Sequence, residues 1–224
     1  MRIVEENYQR TVGPNIRSLR RYEAFSSTVY GELMPSFVQE IIQITGLNED
    51  SLFLDLGSGV ANVVVQASLQ SGCKSYGIEL MPHPARLGRD VVEQIKIRCR
   101  MWGVRIGEIE LEEGDMLKSR RVDELISKAD VVLVDNKVFE ESCWSFFFKL
   151  LSVFLRYSPN LTVNEALRPK FLDLKEGAYV ISLKPFVSAV NARMTKRNVC
   201  LADFLACTSY KHLLFQGRRY QCYL

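Results

Sequence analysis

Apolar and polar positions along the chain recur with two periods. Pro35 and Ser36 open a helical pattern in which Val38, Ile41, Ile42 and Thr45 share one face, and Gly46 ends it. Ser36 and Gln39 stand at the spacing of a capping box. From Leu52 to Leu56 a short apolar run enters a turn at Gly57 and Gly59, and a helix is predicted from Asn62 to Gln70. A strand follows from Ser75 to Glu79, then a long helix from Pro84 to Trp102 closed by Gly103. The next predicted elements are a strand at about Glu108 to Glu112 and a helix from Val122 to Lys128. Val131 to Val134 is continuously apolar, as a strand buried on both faces requires. The last clear strand runs from Ala178 to Leu183. Strands alternating with helices imply right-handed crossovers, hence an α/β fold with a doubly wound, mainly parallel sheet. A small N-terminal helical part precedes it.

Composition narrows the class. The chain has 224 residues, 47% hydrophobic and 25% charged, with 29 Lys and Arg against 26 Asp and Glu. That is the profile of a folded globular protein, and a net charge of +3 is too small to argue for nucleic-acid binding alone. Six Cys without a C-x-x-C pair, and only two His, argue against a metal cluster or a disulfide framework and fit a reducing compartment. The first residues, MRIVEENYQR, are too polar for a signal peptide. The apolar window from Phe146 to Tyr157 carries Lys149 and Arg156, and falls short of the ~20 residues of a membrane span. A soluble intracellular domain without membrane contact is expected.

Ligands of open α/β sheets sit beyond the carboxyl ends of the strands, near the point where strand order reverses. Three acids fall there: Asp55 in DLGSGVAN, Glu79 in YGIEL and Asp115 in EEGDM. Gly57 and Gly59 let the backbone turn sharply and approach a ligand with no Cβ in the way. A carboxylate on the second strand, Glu79, matches two vicinal ribose hydroxyls with its two acceptor oxygens. Asp115 can accept an adenine amino group. A dinucleotide site requires a third small residue where this chain has Asn62, and Asp55 would repel a pyrophosphate. Asp55 suits an ammonium group instead, so the acids favour S-adenosylmethionine over NAD.

VYGEL (29–33), DLGSGVAN (55–62), YGIEL (76–80), EEGDM (112–116), VLVDNKVF (132–139) and ISLKPF (181–186) occur in that order. Together they resemble the disruptor-of-telomeric-silencing family of histone lysine methyltransferases, the class without a SET domain. The likeness covers roughly Tyr22 to Phe186. It implies a seven-stranded-type methyltransferase sheet and transfer of methyl from S-adenosylmethionine to a core lysine of histone H-three on the nucleosome. It also implies a nuclear location, a role in chromatin regulation and telomeric silencing, ubiquitinated histone as one form of the partner, and weak DNA contact. By the same resemblance Tyr30, Glu32 and Leu33 belong to the loop over the methionine part of the cofactor, Tyr30 also being catalytic. Asp55, Gly57, Gly59 and Asn62 line the cofactor cleft, Glu79 holds the ribose, and Asp115 with Met116 frames the adenine. Phe139 stands in the wall of the lysine channel, with core packing as its alternative.

The chain departs from that pattern in three places. The family's paired Asn after the fourth strand is here Asp135-Asn136. A carboxylate at the catalytic position 135 lacks the amide donors and can hold the substrate lysine protonated, so slow or absent methyl transfer is expected. The apolar stretch 143–163 reads as an insertion, for which a partner-binding helix, a membrane-surface helix and translated non-coding sequence remain open. Beyond Phe186 the likeness fades, and incomplete C-terminal strands are expected. The resulting organisation is a basic N-terminal lead-in (1–24), a methyltransferase domain (25–198) and an atypical C-terminal segment (199–224). Basic clusters at Arg17, Arg20 and Arg21, at Arg98, Arg100 and Arg105, at Lys118, Arg120 and Arg121, and at Arg218 and Arg219 are candidate DNA contacts or solvated faces.

Overall fold

A computed structural model describes residues 2–21, 32–134, 163–182 and 198–200. Its helices are α1 (Arg2–Thr11), α2 (Ile16–Arg21), α3 (Pro35–Thr45), α4 (Asn62–Ser71), α5 (Pro82–Trp102), α6 (Arg120–Ile126) and α7 (Val163–Leu167). The strands are β1 (Leu52–Leu56), β2 (Lys74–Glu79), β3 (Ile109–Glu113), β4 (Val131–Val134), β5 (Tyr179–Ser182) and β6 (Asn198–Cys200). They form one sheet in the order β3-β2-β1-β4-β5-β6, and every pairing is parallel. The order reverses between β1 and β4, where Asp55 lies opposite Leu133. That is the doubly wound arrangement expected from the sequence.

The two-residue period of each strand sorts its side chains between two faces. Leu54, Leu56, Tyr76, Ile78, Val132 and Val134 pack under Val122, Leu125 and Ile126 of α6. On the opposite face Phe53, Val131, Leu133 and Ile181 pack against Val38 and Ile41 of α3 and Val63 and Ala67 of α4. α5 presents Leu87, Val91, Ile95 and Cys99 to the outer part of that same side, together with Val60, Val64 and Val65. The buried side chains of α5 recur at intervals of three and four, so one stripe of an α-helix, with its period of about 3.6 residues, enters the core.

The N-terminal stretch joins this packing. Val12 and Leu19 are buried in the α4–α5 cluster, and Asn7 donates its amide to Val91 O at 3.0 Å while accepting from Arg98 at 2.8 Å. The capping box expected at Ser36 does not form. The helix starts one residue earlier, with Met34 as its N-cap and no side-chain cap, so Ser36 lies inside the first turn. Pro35 explains the start, because its fixed φ and missing N–H suit the first helical position. α5 likewise begins at Pro82 rather than Pro84. The C-terminal ends of α3 and α5 fall where expected, on Gly46 and Gly103 in left-handed conformation. β6 was not legible in the sequence and extends the sheet by pairing Val199 with Ile181.

Candidate cofactor site

The site begins with the turn that follows β1. Gly57 has φ +103°, a value that essentially only glycine adopts, and Gly59 has φ +54°. The backbone N–H groups of Gly57 and Ser58 both donate to Ile78 O at 2.9 Å, which folds the turn back over β2. Ala61 also lies in the left-handed region, with φ +63°, and serves as the N-cap of α4. Its N–H donates to Ser58 O at 2.7 Å, so hydrogen bonding within the turn sustains that backbone conformation.

Above this turn is an open crevice lined by Glu32, Leu33, Asp55, Gly57, Ser58, Gly59, Val60, Asn62, Val63 and Leu133. Asp55 is 3% exposed at the end of β1, on the face it shares with Phe53. Glu79 borders the turn. One of its carboxylate oxygens accepts the Gly59 N–H at 2.8 Å and the other the Met81 N–H at 2.8 Å. These two bonds fix the plane of the carboxylate and leave further lone pairs for an outside donor. The next loop is joined to it, since Gly114 N–H donates to Glu79 O at 2.9 Å. Met116 lies over the glycine turn, its methyl carbon 3.9 Å from where a Cβ on Gly57 would stand. Asp115 organises its own loop, accepting the Leu117 N–H at 2.9 Å and approaching Lys118 at 3.3 Å.

Behind that loop is a polar group of three in which Tyr76 and Ser119 are buried and Glu112 is half-buried. Tyr76 on β2 donates to Glu112 on β3 at 2.6 Å, and Ser119 donates to the same carboxylate at 3.0 Å. Ser119 also caps α6 by accepting the Val122 N–H at 3.1 Å. Burial, and then the Glu112 carboxylate, push the Tyr76 phenol well above its ordinary value near 10. The phenol therefore stays neutral and donating, and it ties β2, β3 and the start of α6 together beneath Asp115 and Met116.

Sequence-predicted site residues thus fall into three groups. Glu32, Leu33, Asp55, Gly57, Gly59 and Asn62 meet in the crevice. Glu79 adjoins it through its bond to Gly59 and Met116 packs over the glycine turn, whereas the bonds given for Asp115 stay within its own loop; none of the three is part of the lining. Tyr30, Asp135 and Phe139 lie outside the described residues, as do the stretch 143–162 and the chain beyond Cys200. Sequence reasoning missed Tyr8, whose hydroxyl donates to Glu32 at 2.8 Å from α1, and the apolar wall of Val60, Val63 and Leu133. Tyr8 stands 24 residues from its partner with no motif around it, so only the fold could supply that contact.

The model of the DOT1 histone methylation protein family matches residues 8–213. The chain belongs to this family. It is 40% identical over 198 residues to a protein of Emericella nidulans named histone-lysine N-methyltransferase, H3 lysine-79 specific, covering 88% of this chain and 35% of that one. Proteins of the same name from Aspergillus fumigatus and Mycosarcoma maydis are 40% and 41% identical, over 84% and 88% of this chain and 34% and 22% of theirs. The chain therefore spans between a fifth and about a third of the length of these relatives. Among solved structures, an RNA methyltransferase from Salinibacter ruber in complex with S-adenosyl-L-homocysteine aligns at TM-score 0.46 and 22% identity, over 67% of this chain and 76% of that one.

Two of the basic clusters hold an arginine engaged by its own protein, in one case by carboxylates and in the other by neutral amides. Arg121 forks onto Glu110 at 2.8 and 2.9 Å and also reaches Glu124, and Arg98 is bound to Asn7 and Gln94. No helix among the described residues is long and apolar enough to cross a membrane.

Proposed function

We propose that this chain is the catalytic part of a nuclear histone methyltransferase, which transfers methyl from S-adenosylmethionine to a lysine in the core of histone H-three on the nucleosome. The observation that carries the cofactor reading is the sign of the crevice. Its lining holds two carboxylates, Glu32 and Asp55, Glu79 stands at the border, and among the described residues no Lys or Arg lines it. Carboxylate acceptors fit an ammonium and a sulfonium and disfavour a pyrophosphate. In the assignment made from the sequence, Asp55 and Glu32 take the amino-acid end, Glu79 the ribose hydroxyls, and Asp115 with Met116 the adenine. Val60, Val63, Leu33 and Leu133 supply apolar contact.

S-adenosylmethionine supplies an activated methyl group. The protein's tasks are to align it and to present a neutral amine along the axis of displacement. Deprotonating a lysine of ordinary pKa at pH 7 costs roughly 4.6 kcal/mol, so an apolar channel that favours the neutral amine assists the reaction. Phe139 is assigned to that channel. The substrate follows from family membership and the names of the relatives, and contact with ubiquitinated histone or with DNA is a secondary part of this proposal.

Labelled methyl transfer to intact nucleosomes, set against free histones, tests the reading. Preference for nucleosomes is expected, and titration calorimetry should show S-adenosylmethionine binding without them. A chain that binds S-adenosylmethionine yet methylates neither substrate would refute the enzymatic part. A second reading rests on Asp135, where the family pattern has Asn. If the carboxylate holds the substrate lysine protonated, Asp135→Asn accelerates transfer and leaves cofactor affinity unchanged. Equal rates would remove this reading.

A further inference from the structure

We propose that Tyr8 of the N-terminal helix is a positioning residue for the amino-acid end of the cofactor, acting through Glu32. The inference rests on the S-adenosylmethionine reading and deepens it. Glu32 is an exposed glutamate at the mouth of the crevice, and such a side chain ordinarily samples several rotamers. Here both of its oxygens are bound. Tyr8 donates its hydroxyl to Oε1 at 2.8 Å, and Asn62 donates its amide to Oε2 at 3.0 Å. The three residues come from α1, from the segment leading into α3, and from the first turn of α4, so the carboxylate joins three separate parts of the chain. Its remaining lone pairs are held in a fixed plane at the crevice, where an ammonium donor can meet them without first ordering the side chain.

The donor itself stands on a rigid support. α1 cannot swing away without breaking the Asn7 bonds to Val91 O and Arg98, or exposing Val4 and Val12. The Tyr8 ring packs against the cluster formed by α4 and α5. The N-terminal helix therefore reaches the site as a brace. Its hydroxyl can be removed while the ring contacts remain, which makes Tyr8→Phe a selective probe.

Titration calorimetry on the full chain would compare the unmodified protein with Tyr8→Phe against two ligands, S-adenosylmethionine and methylthioadenosine. The second shares the adenosine and the sulfur but has no amino-acid group. Loss of one hydrogen bond to a carboxylate that meets the ligand is expected to weaken S-adenosylmethionine about five- to tenfold. Methylthioadenosine affinity and the melting temperature should stay unchanged. Equal weakening of both ligands would mean that Tyr8 acts only as general support, and no change in either would mean that it does not orient Glu32. Both results overturn the proposal. If the unmodified protein binds neither ligand, the cofactor reading itself falls and takes this inference with it. Binding of both by the unmodified protein, with an indifferent variant, removes the inference alone.

Discussion

Gly77→Ala is the most direct test of how the sheet shapes the candidate cofactor site. Gly77 lies mid-way along β2, opposite Asp55 of β1. A Cβ built on it would stand 2.8 Å from both Cβ and Oγ of Ser58 and 2.9 Å from Cγ2 of Val64. Carbon atoms in contact prefer about 3.5–4.0 Å, so the Ser58 Cβ would be too close by about 0.7–1.2 Å. Rotation of Ser58 cannot relieve the clash, because its Cβ moves only with the backbone. That backbone is held by the bond from Ser58 N–H to Ile78 O. Val64 is β-branched, buried and confined to few rotamers in its helix. The glycine turn must therefore shift, at a cost of about 1–3 kcal/mol for overpacking. For a chain of this length each kcal/mol lowers the melting temperature by roughly 2–4 °C, giving a fall of about 2–12 °C. Displacing Gly57 and Gly59 should also weaken S-adenosylmethionine by about tenfold, equivalent to about 1.4 kcal/mol. Thermal melting by circular dichroism and titration calorimetry read the two effects. A variant that melts within about 1 °C of the unmodified protein and binds S-adenosylmethionine equally well would refute the packing of Ser58 against β2.

Gly88→Ala in α5 provides a contrast, since its Cβ would meet Ala61 Cβ and Val60 C at 3.4 Å, close to ordinary contact. The gain in helix propensity, about 0.8–1 kcal/mol, should then appear as a raised denaturation midpoint in urea. Tyr76→Phe tests the buried polar group by pH. Because the folded phenol titrates above its ordinary value near 10, its added stability is complete below pH 10 and is lost as pH climbs through the folded value. The stability difference between the unmodified protein and Tyr76→Phe should therefore be constant across neutral pH and shrink above 10, as followed by urea denaturation at each pH. A difference that grows with alkalinity would contradict the assigned direction.

The order of elements was legible because it depends on local periodicity. The continuous apolar run of β4 marks a strand covered on both faces, and the stripe of Leu87, Val91, Ile95 and Cys99 marks the buried side of α5. Gly46 and Gly103 end their helices for a reason contained in the residue itself, the absence of a Cβ. The three acids at strand ends were legible for the same cause, since in a parallel sheet the end of a strand already fixes which rim a side chain occupies. Ser36 misled, because the rigid ring of Pro35 competes for the same boundary and starts the helix first.

Other features depend on distances that no local pattern encodes. The sequence by itself determined a parallel α/β chain with a glycine turn after its first strand and acids at or just past successive strand ends, and motif order tied it to one family. Only the tertiary structure decided that Glu79 is clamped by two backbone N–H groups, that Ser58 fills the space left by Gly77, and that Tyr8 reaches Glu32. Each of those joins segments brought together by crossovers of the chain. Periodicity fixes which face a residue occupies, whereas packing fixes what it meets there.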